Sequence, residues 1–469
     1  MRCRRERGEH RNKSRKIYNR HKITAKERGF CMKNGIDLKR LYRKRQLHVI
    51  FPVFLVSVIA YLDRVNVAYA GMTMTKDLPW LTPEIFGAGA GIFFLGYFFF
   101  EVPGALVAAR FNACTWIARI MFTWGLVCGL MAFMQSQTEF YVYRFLLGAC
   151  EASLYPVIYA VLFPKWFTAG ERAKAISTML TSLLVAAILG APTAGWLLEM
   201  NLFGMHGWQT LFVLEALPAL VFTLVFLFWV KDRPEKAAWL TDAEKAYLKA
   251  AYEKEQAQIT QVHKYTVMQA LTDRKVLRLC LIYFLWIVGF WGFNFWMPQV
   301  LKGLSGWSAS LVGFAIAIPM GIALIAQVLW GNSSSRSGEK RWHVALAMFI
   351  GAFGLGITPF VNDPILSLGC ICIAAVGVYA AMGVWWTVPT TFLSGAAAAG
   401  ATALINSIAN LGGYFGPYLL GVVKGQTGSY DYGYFALASC MILAGAVMLT
   451  LKKESIETCD DEAVVTADS

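Results

Sequence analysis

Twelve apolar stretches, at approximately 46–74, 84–109, 115–135, 139–163, 172–199, 208–230, 277–301, 309–331, 343–361, 365–392, 396–423 and 433–451, run through this chain with only short polar marks between most of them. A helix needs roughly 20 apolar residues to cross about 30 Å of hydrocarbon, whereas a barrel strand needs only about 9–11. Every stretch is too long for a barrel strand, and lone strands cannot satisfy their backbone in lipid. The pattern therefore predicts an all-α membrane protein with twelve transmembrane helices. Composition agrees: 57% of the 469 residues are hydrophobic and 15% are charged, with a mean hydropathy of +0.50. Soluble domains carry about a quarter charged residues.

Other classes lose ground on the same reading. The ten cysteines fall mostly singly inside apolar runs, with no CxxC spacing and no histidine cluster beside them. Neither a disulfide framework nor a zinc site is expected. The first apolar run begins near Gln46 and is followed by eleven more, unlike a secretory leader. No nucleophile elbow, metal-ligating helix or phosphate loop argues for an enzyme, and no cofactor or metal is expected.

The net charge of +14 resembles a nucleic-acid footprint until it is located. Residues 1–45 hold 18 of the 43 Lys/Arg against 4 of the 29 Asp/Glu, and the remaining 424 residues carry 25 of each sign. The excess is thus an N-terminal basic arm over 1–45, read as disordered. Met32-Lys33-Asn34 also reads as a protein start, which would leave 1–31 as upstream sequence. Lys39 to Arg45 is topogenic charge ahead of the first span, and no nucleic-acid partner is expected.

One long polar interval, Lys231 to Arg274, divides the segments six and six. The predicted layout is a six-helix half at 46–230, a cytosolic central loop at 231–276, a second half at 277–451 and a cytosolic tail at 452–469. Two six-helix halves around a charged loop is the layout of transporters built from repeats. Placing both termini in the cytosol puts 20 of the 25 Lys/Arg beyond the arm on that side, including Arg110, Arg119, Lys165, Arg172, Lys174, Arg336, Lys340 and Arg341. Lys76, Lys302 and Lys424 remain outside, an asymmetry that sets the orientation.

A charge at membrane depth costs at least ~2.5–3.5 kcal/mol on insertion scales, so each one calls for a partner or a task. Six are present, all in the first half: Asp63, Arg64, Glu101, Arg144, Glu151 and Glu215. Arg144 and Glu151 are seven residues apart, hence on one helix face with roughly 10 Å of rise between them. Asp63 arrives from the antiparallel first segment near the level of Arg144. The geometry predicts that Asp63 or Glu151, when ionised, occupies the Arg144 guanidinium, and that protonation releases it to grip a carboxylate. The alternative is a staple between the first and fourth segments. Glu101, beside Pro103, is expected to cap a helix or pair with Arg110 or Lys174, and Glu215 to reach interfacial water. The second half offers neutral groups at depth: Asn294, Gln299, Gln327, Thr387, Thr390, Thr391, Asn406, Ser407 and Asn410. Asn406 and Asn410 lie one turn apart beside Gly412-Gly413, where interhelical bonding and ligand contact are equally open. Trp385-Trp386 and Phe295-Trp296 could wall a cavity or simply pack.

Several phrases resemble a known family. Tyr61-Leu62-Asp63-Arg64-Val65-Asn66, Arg144 to Ala152 (RFLLGACEA), Glu171-Arg172-Ala173 and Asn406 to Pro417 are similar to the anion:cation symporter family of the major facilitator superfamily. Phe94 to Pro103, Trp116 to Arg119 and Trp229 to Lys236 resemble its bacterial tartrate, hydroxyphenylacetate and sugar-acid permeases in particular. The resemblance runs from about Arg40 to Leu451. It implies proton-driven import of a small organic anion by alternating access through a monomer in the bacterial inner membrane, surrounded by lipid. It implies proton coupling at Asp63, Glu151 and Arg144, and substrate contact at Tyr61, Arg64, Tyr97, Arg144, Trp386, Thr387, Asn406 and Asn410.

Departures from the family pattern are local. Asn112 and Cys114 stand where the family usually has Gly and Arg, Ser334-Ser335-Arg336 where it has Ser-Asp-Arg, and Ser182-Leu183 near a position where sugar-acid members use glutamine. The first two remove partners from the inner-gate ion pairs. The expected function is therefore import of a carboxylate with protons, the alternatives being a proton-independent exchanger or facilitator and a transporter-like nutrient sensor.

Overall fold

The computed structural model describes residues 32–33, 36–108, 110–259, 273–389 and 395–451. The first half comprises α1 Leu38–Asp77, α2 Pro83–Ala108, α3 Ala113–Phe133, α4 Gln137–Trp166, α5 Ala169–Leu197 and α6 Gly207–Trp229. The second comprises α7 Arg274–Ser305, α8 Ala309–Ser337, α9 Arg341–Phe360, α10 Pro364–Trp385, α11 Gly395–Thr427 and α12 Asp431–Leu449. Eleven of these are long and apolar enough to cross a membrane among the described residues. The 33-residue α11 fills the place of the eleventh apolar segment and completes the twelve.

Short polar side chains set the helix starts. Asn112 accepts from the N–H groups of Cys114 and Thr115 at 2.9 and 3.2 Å, so the residue that departs from the family pattern is the N-cap of α3. Thr168 and Glu171 form a capping box on α5. Successive helices run in opposite directions, so the described chain ends and the central segment share one face of the bundle, here called the terminal face.

The basic arm is shorter than its charge suggested. Leu38–Arg45 is helical, capped by Asp37, and continues into the first span. Arg45 is fully buried. It donates to Trp166 O at 2.7 Å and to both oxygens of Glu171 at 2.7 and 2.8 Å, a bidentate pair that welds α1 to α4 and α5. Residues 1–31 and 452–469 lie outside the described residues.

The central loop is partly helical, over Asp242–Ile259, and is held to the first half. Lys44 pairs with Glu244 at 2.9 Å, Lys165 with Asp232 at 3.1 Å, and Arg172 with Glu255. Trp239 stacks between His48 and Trp166. Burial raises the Glu244 carboxyl, but the Lys44 ammonium and the Thr241 N–H outweigh it and hold the group below its usual range.

The halves meet most closely on the face remote from the termini. A Cβ on Gly87 of α2 would lie 2.5 Å from Pro417 O of α11, and one on Gly195 of α5 would lie 2.4 Å from Ala309 O of α8. Here small residues let backbones touch, as lipid-embedded helices require. The Ser310 N–H at the start of α8 donates to Glu199, just beyond α5, at 2.9 Å. That N–H is the main cause of the Glu199 carboxyl titrating below its usual range. The latch is therefore at full strength at neutral pH and is lost only as pH falls through that lowered value. Every ion pair among the described residues on the terminal face stays within one half or within the central segment, or joins that segment to the first half. The bundle is closed on the remote face and lacks a described ionic clasp on the terminal face.

Candidate functional site

The ion pair at the centre is not the predicted one. Glu151, with 2% of its side chain exposed, pairs with Arg64 of α1 and not with Arg144. Side chains lean toward the N-terminus of their own helix. α1 and α4 are antiparallel, so Arg64 leans toward the terminal face and Glu151, while Arg144 leans away from Glu151. Arg144 is fully buried and donates to the carbonyls of Gly89 and Ala90 in α2 at 3.2 and 3.0 Å. Its guanidinium lies over Phe93 and Phe295 at 5.1 and 5.8 Å, and Nη1 has no hydrogen-bond partner.

Arg64 sits in an aromatic cage, with the rings of Phe93, Tyr97 and Trp291 at 5.2, 5.3 and 5.8 Å. Phe93 and Tyr97 are one turn apart on α2, so one helix face supplies both walls. Such faces attract a cation by about 0.5–2 kcal/mol each without neutralising it. Arg64 keeps 11% side-chain exposure and its Nε is unpartnered. Beneath the pair, α4 breaks at Ala152–Ser153. Pro156 has no N–H to give the carbonyl of Ala152, so the turn next to Glu151 is loosened.

The second half completes the cluster. Tyr61 Oη lies 3.1 Å from Tyr379 Oη of α10, which donates to Asn294 Oδ1 of α7 at 2.7 Å. Glu101, predicted to serve a gate or cap, instead crosses the gap between the halves. It accepts from Asn406 Nδ2 at 3.0 Å and Asn410 Nδ2 at 3.2 Å, both of α11. Tyr283 stacks on Trp385 and meets Trp386 edge to face, so this tryptophan pair packs on α7. Trp386 is partly exposed, and Thr387, exposed, donates to Val384 O at 2.7 Å. Thr390 and Thr391 lie outside the described residues.

Asp63 points away from Arg64. It is 1% exposed, accepts from Trp124 Nε1 at 2.8 Å and faces the Cys128 thiol at 3.5 Å, both on α3. Successive residues of a helix diverge by about 100°, which separates Asp63 from its neighbour Arg64. Ser182 is buried and donates to Ser57 Oγ at 2.7 Å, itself 3.0 Å from Tyr155 Oη. The serine near the glutamine position thus ties α5 to α1.

The structure brings together Arg64, Tyr97 and Glu151 on one wall, with Tyr61, Glu101, Asn406 and Asn410 bridging to the other half. Asp63 and Arg144 are set apart from the Arg64–Glu151 pair. Sequence reasoning left out Phe93, Trp291 and Tyr283, and gave Glu101 no place in the cluster. The four-residue Phe93/Tyr97 spacing beside buried charges was the available signal.

A buried cluster of charged and polar groups between two six-helix membrane halves is the arrangement of a carrier. The sequence model of the Major Facilitator Superfamily matches residues 53–455, and the chain belongs to that superfamily. A candidate tartrate transporter of Agrobacterium vitis is 42% identical over 417 residues, covering 89% of this chain and 92% of its own. A quinolone resistance transporter of Acinetobacter baumannii is 34% identical, covering 90% and 98%. In structure, the D-xylose-proton symporter aligns with a TM-score of 0.68 at 17% identity over 87% of this chain and 98% of that one, a likeness of fold. The chain is a multi-pass membrane transporter and not an enzyme.

Proposed function

We propose that this transporter imports a small organic anion, a carboxylate such as tartrate, a sugar acid or an aromatic acid, together with protons by alternating access. The observation that carries the reading is the Arg64–Glu151 pair. A caged guanidinium that keeps some exposure has one buried carboxylate as its counterion. Protonating Glu151 removes that counterion, and a substrate carboxylate then satisfies the same fork. Proton and anion binding are linked because each relieves the unpaired charge the other leaves. The candidate tartrate transporter among the relatives supports the substrate class. The bacterial relatives support the bacterial inner membrane, and the Lys/Arg asymmetry supports both termini being cytoplasmic, which would make this arrangement closed to the outside.

The test is purified protein in liposomes loaded with a pH dye and challenged with tartrate, glucarate, galactonate, glucuronate, hydroxyphenylacetate and phthalate. Internal acidification with one acid is expected, and Asp63→Asn and Glu151→Gln should each abolish uphill uptake. Label uptake without a pH change would establish the exchanger or facilitator in its place. Binding without movement would establish the sensor.

Glu101 supplies a second expectation. Its carboxylate takes up the donors of Asn406 and Asn410 and adds negative charge to an anion site. Two like charges about 6 Å apart repel by roughly 2–3 kcal/mol at an effective dielectric of 20. Glu101→Gln keeps an acceptor oxygen and removes the charge, so KM for the anion at neutral pH should fall several-fold in uptake assays. A rise of roughly tenfold or more, the effect of losing one ~1.4 kcal/mol contact, would make Glu101 a direct substrate ligand instead.

A further inference from the structure

Behind α1, on the side away from Arg64, a second polar chamber lies between α1, α3 and α6. Asp63 and Asn66 of α1 are three residues apart, Trp124 and Cys128 of α3 four apart, and Phe212 and Glu215 of α6 three apart. Each pair therefore shares one helix face. Asn66 Nδ2 donates to Cys128 Sγ at 3.3 Å, and the Cys128 thiol lies 3.5 Å from Asp63 Oδ1 and 3.8 Å from Phe212 O. Glu215 stands beside Asn66 and within electrostatic reach of Asp63. It is 7% exposed and Asn66 is 1% exposed, which overturns the reading that Glu215 reaches interfacial water.

Two buried acceptor oxygens in this chamber lack any donor: Glu215 Oε2 and Asn66 Oδ1. A carboxylate can only accept, whereas a carboxylic acid has an O–H to give. One proton on Glu215 supplies the donor that this pair of oxygens lacks. The titratable groups facing Glu215 are Asp63 and Tyr69 of α1 and Cys128 of α3. Arg144 of α4 is within electrostatic reach of Cys128 but gives its hydrogen bonds to the carbonyls of Gly89 and Ala90, and among the described residues no lysine, arginine or histidine forms an ion pair with Glu215 or Asp63. Two carboxylates cannot both be ionised in such a place without a cation.

We propose that Glu215 is a proton-holding residue of the coupling mechanism, acting with Asp63 as one unit in a chamber separate from the substrate cavity. Glu215 lies eight residues from the remote end of α6, roughly 12 Å of rise. Its partner Asp63 lies deeper, 14 residues from the same end of α1. In each cycle one carboxyl O–H forms with a proton taken from water on the remote side. One carboxyl O–H is later broken to water on the terminal side, so charge and atoms balance. This proton is held on the far side of α1 from the anion, whereas the Glu151 proton is bound beside Arg64. Asp63 and Arg64, adjacent in sequence, face one side each.

The assignment rests on the proton-symport reading for its transport test but not for its second test. In the dye-loaded liposomes, Glu215→Gln should lower uphill, proton-driven uptake roughly tenfold or more while leaving substrate counterflow within about twofold. A residue that merely supports the fold moves both rates together or neither, and either result would overturn the proposal. If the wild type drives no uphill uptake, symport itself fails and the substrate-free measurement decides. Infrared difference spectra of the purified wild type between acid and alkaline buffer should contain a protonated-carboxyl band that Glu215→Gln removes and Asp63→Asn shifts. A wild-type spectrum unchanged by Glu215→Gln sinks the proposal, whatever the substrate.

Discussion

Replacing Arg64 by alanine is expected to lower organic-anion uptake by about two to three orders of magnitude, with Arg64→Lys recovering little of it. Truncating one partner of a buried, hydrogen-bonded charge pair costs about 2–5 kcal/mol of binding, here the grip of Arg64 on the substrate carboxylate. Each 1.4 kcal/mol is a factor of ten. The stranded partner is Glu151, at 2% side-chain exposure. In the variant it has no counterion, so the carrier loses its substrate cation and the partner of its proton switch together. Lysine restores the charge but neither the planar fork that grips a carboxylate nor the flat face resting on Phe93, Tyr97 and Trp291. Arg144→Ala makes a useful contrast. It removes two bonds to the carbonyls of Gly89 and Ala90 and loosens α4 from α2. That change should lower thermal stability, whereas Arg64→Ala should affect transport more than melting. If Arg64→Ala transports at wild-type rate while Arg144→Ala abolishes transport in a fully folded carrier, the roles assigned to the two arginines are exchanged.

The second large effect is structural. A Cβ on Gly148 of α4 would stand 1.9 Å from the backbone oxygen of Phe93, and one on Gly96 of α2 would stand 2.2 Å from the oxygen of Phe145. Neither obstacle is a flexible side chain. Gly148→Val must force two membrane helices apart, beyond the ~1–3 kcal/mol of ordinary overpacking. At about 2–4 °C per kcal/mol for a domain the size of one half, the melting temperature should fall by roughly 10 °C or more, with uptake lost. Uptake fails too because Arg144 and Glu151 flank Gly148 within one turn and move with it. Gly321→Ala is the control: nothing lies within 4 Å of its Cβ position, and it should melt as the wild type or slightly higher. Thermal melts of the three proteins in detergent check both expectations. Equal melting of Gly148→Val and wild type would mean that α2 and α4 do not approach as described.

Much of the architecture was legible along the chain because hydrophobic length is a local property. The twelve apolar stretches reappear as helices, six on either side of the long polar interval. The arm boundary was misread at Lys39 to Arg45, where charge signals solvent only if no partner arrives from elsewhere. Glu171, 126 residues away, is that partner for Arg45.

The candidate site was legible as a set of residues and not as a set of pairs. Buried charges stand out by their cost, so Asp63, Arg64, Glu101, Arg144, Glu151 and Glu215 could all be named from sequence. The partners depended on the lean of side chains on antiparallel helices and on glycine contacts that set α2 against α4. Those features pair Glu151 with Arg64, hand Arg144 to backbone carbonyls, carry Glu101 across to Asn406 and Asn410, and close Glu215 in with Asp63. Sequence alone determined that the chain is a twelve-helix carrier with ionisable groups at depth, because burial of apolar length and the cost of buried charge are written residue by residue. Only the tertiary structure decided which charge meets which, because an interaction a few ångströms in reach depends on how helices distant in sequence are packed.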